Sequence, residues 1–168
     1  ITGSNVYVSK NIGTLKYTGT VPPDPLILAD AARLQLKIDQ MSKAVPVDAP
    51  WTAKGAADLD AMTVDTWIDR NSIVPEVREA LKAFFQAAFG VDAEGLSMLF
   101  FLWYMATAGD ETHPGTFERA SGTPNAAQDS RIVGGSQLIP LRVAAALGSR
   151  VALNAPVRKI TQTASAVT

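Results

Sequence analysis

The 168-residue chain contains no cysteine and a single histidine, His113. The lack of cysteine excludes disulfide bonds, thiol catalysis and thiolate metal sites, and it fits a reducing compartment, so we expect a cytoplasmic protein. One histidine, followed directly by Pro114, is a poor basis for a Ser-His-Asp triad and provides no i, i+4 pair for a metal ion. We therefore expect no catalytic residue and no metal site in this chain.

Net charge, long apolar runs and phosphate loops are also scarce. Lys+Arg 15 against Asp+Glu 16 leave a formal net charge of −1, without the basic surplus that nucleic-acid binding requires. The longest apolar run, Leu96–Ala108, is shorter than the roughly 20 residues that cross a bilayer, so we expect no membrane span. No G-x-G-x-x-G sequence is present, and these residues therefore lack the phosphate cradle of a dinucleotide fold.

The composition is that of a globular protein. With 47% hydrophobic and 18% charged residues, the chain can bury one ordinary core, and we expect a single domain over 1–168. The first residues contain no initiator Met and no charged or apolar segment of a signal peptide, which we expect of the middle of a longer gene product.

The periodicity of apolar residues predicts a mostly helical fold. Residues 5–8 and 14–17 alternate around a turn in which Gly13 takes a positive φ, so we expect an N-terminal hairpin. Ile27, Ala31, Leu34, Ile38 and Met41 recur at helical spacing and predict a long amphipathic helix. Further helices are predicted at 56–60, at 64–70 with Thr63 as N-cap, at 75–89, and from an N-cap at Asp92 through Met105; a long loop is predicted at 109–127.

The last third of the chain predicts a small sheet. We expect a strand at 131–133, a Gly134-Gly135 turn, a helix over 136–147, and strands at 150–153 and 157–161. The turn either binds a phosphate at the helix N-terminus or only lets a strand turn into a helix capped by Ser136; the second interpretation is favoured. The expected fold class is α+β, mostly helical, with a small mixed or antiparallel sheet.

The predicted helix that ends near Met105 is apolar on every face. Phe100, Phe101, Trp103 and Tyr104 are either core residues or the wall of a cavity, and the core interpretation is favoured. In a domain of this size such a helix still leaves one face short of partners, and we expect a hydrophobic ligand or another domain there.

The sequence resembles a known family in four stretches. These are 17–25 (YTGTVPPDP), 45–51 (VPVDAPW), 101–104 (FLWY) and 125–160 (NAAQDSRIVGGSQLIPLRVAAALGSRVALNAPVRKI). They are similar to the flavin-containing monoamine oxidases in their bacterial branch, and the last stretch is the most specific, because it matches in order and spacing. The resemblance covers nearly the whole chain.

The resemblance implies a function for this chain. In that family FAD takes a hydride equivalent from an amine carbon, the resulting imine hydrolyses to an aldehyde, and oxygen reoxidises the flavin to give hydrogen peroxide. The chain then resembles the substrate-binding domain, with a small-molecule amine as substrate. By the same resemblance the cavity wall consists of Phe84, Ala87, Ala88, Tyr104 and Gln128, and the Val157 backbone contacts the adenine end of FAD.

Other parts of the family pattern have no counterpart in this sequence. They are the glycine-rich phosphate loop, a lysine near the flavin and the paired tyrosines in front of it. The resemblance therefore implies a fragment that lacks the FAD-binding domain; alone, it should be inactive, bind no FAD and self-associate through its exposed apolar face. The other hypothesis is a free-standing helical binding or interaction module that uses no flavin.

Overall fold

The computed structural model of the protein describes residues 5–9, 13–18, 24–122 and 126–168. Contacts between residues divide the chain into two compact units, Ile1–Asp129 and Ser130–Thr168. We call them the helical unit and the C-terminal unit. That 1–168 forms a single domain stays a prediction.

The helical unit begins with the predicted hairpin. Strands β1 (Asn5–Ser9) and β2 (Gly13–Tyr17) pair antiparallel, with Tyr7 opposite Leu15. Gly13 has a φ of +73°, a backbone angle that residues other than glycine rarely adopt. The predicted hairpin is confirmed. Residues 10–12 of the predicted turn lie outside the described residues.

Helix α1 (Pro25–Ser42) confirms the predicted amphipathic helix. Asp24 caps it, since its carboxylate accepts from the backbone N–H groups of Leu26 and Ile27 at 2.9 and 3.1 Å. Proline at the first helical position has no N–H to leave unpaired. Ile27, Leu34 and Ile38 form its buried stripe.

Five more α-helices lie in the described part of the helical unit. They are α2 (Ala56–Ala61), α3 (Val64–Asn71), α4 (Pro75–Phe89), α5 (Met98–Thr107) and α6 (Phe117–Ser121). Thr63 caps α3 as predicted, and its hydroxyl accepts from the Thr66 N–H at 3.1 Å. The prediction of a loop over 109–127 is wrong for Phe117–Ser121, because these residues form α6.

The start of α5 also corrects a prediction. Asp92 precedes only a short 3₁₀ turn (Ala93–Gly95), and the α-helix begins after Ser97, whose hydroxyl accepts from the Phe100 N–H at 3.0 Å. The backbone between them is extended because Val64 N–H donates to Leu96 C=O and Met98 N–H donates to Met62 C=O, at 2.9 and 2.8 Å. A segment paired in this way cannot continue a helix.

Helix α5 is the centre of the core. Its Met98, Phe101, Leu102 and Met105 are each at most 1% exposed, and the helix packs against α1, α2, α3 and α6. In contrast, Phe100 and Tyr104 on another face are 41% and 42% exposed. The expectation that one face of this apolar helix is left without enough partners therefore agrees with the structure. None of the helices within the described ranges is long and apolar enough to cross a membrane.

The C-terminal unit has less regular structure than predicted. It contains α7 (Leu138–Leu147), a 3₁₀ turn (Gly148–Arg150) and one isolated antiparallel bridge, Gln162 to Val167. The strands predicted at 131–133, 150–153 and 157–161 are wrong, because none of these residues lies in a strand. Only Thr161 is paired among them, by two backbone hydrogen bonds with Thr168 at 2.7 and 2.9 Å beside the isolated bridge. The only sheet in the described part of the chain is the antiparallel hairpin, so the sheet is not mixed.

The glycine turn before α7 is partly as predicted. Gly134 and Gly135 have φ values of +85° and +93°, so both use the backbone freedom of glycine. Ser136 does not cap the helix, however, because α7 begins at Leu138 and Gln137 occupies the cap position without a side-chain hydrogen bond. The Leu138 N–H donates to Gly135 C=O at 3.2 Å, so this amide is not free for an anion.

Candidate functional site

Asp30 on α1 fixes the start of α4, the helix that carries three of the predicted site residues. Its side chain is 3% exposed. One carboxylate oxygen accepts from the Ser72 hydroxyl at 3.0 Å and from the N–H groups of Ile73 and Val74 at 2.9 and 3.0 Å. The other oxygen pairs with the Arg33 guanidinium at 2.6 Å. This one carboxylate therefore joins α1 to the residues directly before α4.

The same contacts keep Asp30 ionised. Burial by itself would raise the pKa of its carboxyl group, but the hydrogen bonds from Val74, Arg33, Ile73 and Ser72 outweigh burial and lower the pKa below its ordinary value. The folded protein therefore holds a charged carboxylate in its interior, and each of its oxygen atoms has a hydrogen-bond donor.

Phe84, Ala87 and Ala88 lie on α4, near its C-terminal end. Phe84 is half-buried, and its ring contacts Phe85 edge-on at a centroid distance of 5.5 Å and Phe117 at 5.2 Å. Ala87 and Ala88 are exposed. The two methyl groups thus lie on a surface beside a half-buried aromatic ring.

Tyr104 lies on the exposed side of α5. Its ring meets Phe89 of α4 edge-on at 4.9 Å and Phe100 at 6.4 Å. Phe89 in turn contacts Phe85 at 5.8 Å, and Phe85 contacts Phe84. Phe84 and Tyr104 therefore belong to one continuous aromatic cluster, which comprises Phe84, Phe85, Phe89, Phe100, Phe101, Trp103, Tyr104 and Phe117.

Gln128 is exposed in the turn that follows α6. Its N–H donates to Gly122 C=O at 3.2 Å, and the preceding Ala127 N–H donates to Arg119 C=O at 2.8 Å. The turn is thereby tied to α6, whose first residue, Phe117, packs on Phe84. Gln128 is connected to the aromatic cluster through α6.

Val157 lies in the C-terminal unit and is 76% exposed. Within the described residues its backbone N–H and C=O take part in no hydrogen bond. That this backbone contacts the adenine end of FAD stays a prediction.

Two residues of this region are absent from the sequence-based site. The sequence pattern predicts a loop at Phe117, yet this residue packs on both Phe84 and Phe101. No sequence pattern singles out Asp39, yet its carboxylate accepts from the Phe117 N–H at 2.7 Å. A local signal for α6 existed, because Thr116 is a favoured N-cap residue and Glu118 follows it in the first turn. No local signal identifies Asp39.

The loop between α5 and α6 is organised by Asp110. Its carboxylate accepts from the N–H groups of Thr112 and His113, each at 2.8 Å, and from the Arg119 guanidinium at 2.8 Å. The hydrogen bonds from Thr112 and His113 lower the pKa of the Asp110 carboxyl group far below its ordinary value. Arg119 also donates to Ala108 C=O at 3.0 Å, and the loop thus links the end of α5 to α6.

The described residues contain no group of three or more His, Asp or Glu side chains arranged to hold a metal ion. A shallow cavity of about 360 Å³ lies at α2 and α3, lined by Asp58, Ala61, Met62, Thr63, Thr66 and Arg70. None of the predicted site residues lines it. The aromatic cluster reaches the surface of this chain at Phe100 and Tyr104, whereas its Phe85 and Phe101 are buried in the core.

Comparison with known proteins identifies the family. The family model for flavin containing amine oxidoreductases matches residues 3–168. Amine oxidase [flavin-containing] A of Bos taurus is 31% identical over 92% of this chain, and amine oxidase [flavin-containing] of Oncorhynchus mykiss is 33% identical over 90%. The chain spans 29% and 28% of the length of these two relatives.

Solved structures agree with the sequence relatives. A double mutant of putrescine oxidase superposes with a TM-score of 0.80 at 28% identity, and the match covers 98% of this chain and 36% of that one. The order of helices found here therefore belongs to a known architecture. With a family model matched along almost its whole length, the chain belongs to the flavin-containing amine oxidoreductase family.

Proposed function

We propose that the chain is the substrate-side part of an FAD-dependent amine oxidase. The whole protein oxidises a small-molecule amine to an imine, which hydrolyses to an aldehyde, and releases hydrogen peroxide. The observation that carries this proposal is the family match over residues 3–168. The helical unit supports it, since aromatic side chains that are half-buried on α4 and exposed on α5 form a surface of the kind that lines cavities for apolar ligands.

The residues of this chain bind and orient the substrate. Bound FAD supplies the oxidising power, by accepting a hydride equivalent from the amine carbon and passing the electrons to oxygen. Phe84 and Tyr104 exclude water from the carbon skeleton of the amine, and Gln128 supplies the polar group among apolar walls. The free backbone groups of Val157 hold the adenine end of the cofactor. No residue of this chain is given a catalytic role.

The substrate proposed is a bulky or long amine. Ala87 and Ala88 are exposed on α4, beside a half-buried phenylalanine, and a methyl group occupies less of a cavity than any larger apolar side chain. A wall built in this way leaves room in the middle of the cavity. Selectivity between amines then follows from how well their carbon skeletons fill that room.

The partners follow from the same proposal. The domain that binds most of the FAD covers the exposed face of α5, and the protein works in the cytoplasm. Without that domain, the chain binds no FAD and self-associates through the same face. The second candidate function is a free-standing helical binding module without flavin. The exposed Phe100 and Tyr104 favour it only in that such a surface also suits a protein partner.

Purification of the protein encoded by the complete reading frame tests the proposal. We expect a yellow protein with stoichiometric FAD that releases equal amounts of aldehyde and hydrogen peroxide from a bulky primary amine. A protein that carries no flavin, even after refolding with FAD, would favour the binding module. A flavoprotein that oxidises no amine would contradict the proposed reaction while leaving the family unchanged.

A further inference from the structure

Helix α6 is too short to hold its own position. It has five residues, whereas isolated helices below roughly 12 residues are marginal in water. Its place must therefore be set by contacts with the rest of the helical unit. Two side-chain anchors are present: the Arg119 guanidinium, which binds Ala108 C=O and Asp110, and the Asp39 carboxylate of α1.

Asp39 holds the first residue of α6. One of its carboxylate oxygens accepts from the Phe117 N–H at 2.7 Å. The amide is one of the helix-start donors that have no partner within the helix. Asp39 is thus a capping group supplied from a different helix, 78 residues away in sequence.

The ring of Phe117 connects the backbone that Asp39 holds to the predicted substrate wall. Its ring packs on Phe84 at 5.2 Å and on Phe101 at 6.5 Å. Phe101 is 1% exposed and fixed in the core, whereas Phe84 is half-buried. The Phe117 ring, which is itself half-buried, therefore contacts both the core and the predicted wall residue Phe84.

We propose that Asp39 is a positioning residue for the substrate site: by fixing the backbone of Phe117 it fixes the ring that supports Phe84. The inference rests on the proposed function for the assignment of Phe84 to the substrate wall. The link from Asp39 to α6 and Phe84 stands on the geometry of this chain alone. Removing the carboxylate frees α6 to move on its Arg119 anchor and loosens the wall.

Hydrogen–deuterium exchange on the full-length protein tests the link without any need for activity. Asp39→Ala removes the acceptor, and we expect exchange of the Phe117 amide to accelerate about tenfold or more. Asp39→Asn keeps a side-chain oxygen of the same size, so we expect exchange near that of the wild type. The matched control is Asp60→Ala, an exposed aspartate on α2, with exchange in α6 unchanged.

Steady-state kinetics on the same variants test the effect on the substrate site. In Asp39→Ala we expect the KM of bulky amines to rise about threefold or more with little change in kcat, since a loosened wall weakens binding equally in the ground and transition states. Asp39→Asn should restore the KM. Phe117→Leu keeps the backbone hydrogen bond and removes the ring, so it should raise the KM without accelerating exchange at residue 117.

Each outcome decides the inference. Unchanged exchange at Phe117 in Asp39→Ala, or equal acceleration in Asp39→Asn, would overturn the anchoring role. Accelerated exchange with an unchanged KM in both Asp39→Ala and Phe117→Leu would overturn the role in the substrate site. If Asp39→Ala does not fold, Asp39→Ser replaces it: its shorter side chain withdraws the acceptor from the Phe117 N–H, so exchange at Phe117 and the KM should rise as stated for Asp39→Ala, and unchanged values would overturn the inference. A flavoprotein without amine oxidation would refute the proposed function separately.

Discussion

Replacing Asp30 by alanine should destabilise the helical unit by about 2–4 kcal/mol. The substitution leaves the N–H groups of Ile73 and Val74 without their acceptor, at about 1–3 kcal/mol for each buried unpaired group. The two other donors cost less, because the Ser72 hydroxyl can turn to Val74 C=O at 3.1 Å and the Arg33 side chain is 42% exposed. The hydrogen bonds of the Ile73 and Val74 amides are only part-buried, so the lower half of the range is the better estimate for each amide.

Urea denaturation of the 168-residue chain measures the effect. Asp30→Asn should lose about 1–2 kcal/mol, because it keeps one oxygen but presents an amide donor to Arg33. Asp60→Ala, at an exposed position, should stay within about 0.5 kcal/mol of the wild type. A loss below about 1 kcal/mol in Asp30→Ala, with the control unchanged, would refute the assignment of Asp30 as the anchor of α4.

The pH dependence gives the same prediction a second test. The pKa of Asp30 is lower in the folded protein than in the unfolded chain, so the unfolded state binds its proton first as the pH falls. The difference in free energy of unfolding between the wild type and Asp30→Asn should be constant above about pH 5. It should disappear as the pH falls through the pKa that Asp30 has in the folded protein. A difference that grows on acidification would contradict the sign of the shift.

Three further predictions follow from the proposed function. In the full-length enzyme, Ala87→Leu and Ala88→Leu should shift kcat/KM toward small amines by about tenfold or more, provided that thermal melts show a normal fold; an unchanged ranking of amines would remove these residues from the wall. Titration of FAD against the chain alone should show no submicromolar binding, because one backbone contact of about 1 kcal/mol is insufficient. Light scattering should show self-association that increases with concentration, since Phe100 and Tyr104 are exposed; a clean monomer at high concentration would count against it.

The helices could be predicted from the sequence because their signals are local. The apolar stripe of α1, the Thr63 cap and the proline at the start of α4 all act within one or two turns, and all three are found where expected. The start of α5 could not be predicted in the same way. It depends on backbone pairing of Leu96 with Val64 across the fold, which no local pattern records.

The prediction of strands in the C-terminal unit is wrong for a related reason. A strand is stabilised by its neighbours, and among the described residues of 131–133, 150–153 and 157–161 only Thr161 is paired, with Thr168. Similarly, the rings of Phe84 and Tyr104 were named from a resemblance, but the contact of Asp39 with Phe117 required the folded chain. Side-chain roles that depend on residues far apart in sequence are the part that sequence patterns miss.

Anaerobic titration of the full-length protein with a bulky primary amine tests the central claim most directly. If the chain is the substrate side of an FAD-dependent amine oxidase, the visible absorption of oxidised flavin should bleach with one equivalent of amine and return when oxygen is admitted, with one equivalent of hydrogen peroxide formed. A flavin spectrum that no amine bleaches, or a full-length protein that binds no flavin, would contradict the claim.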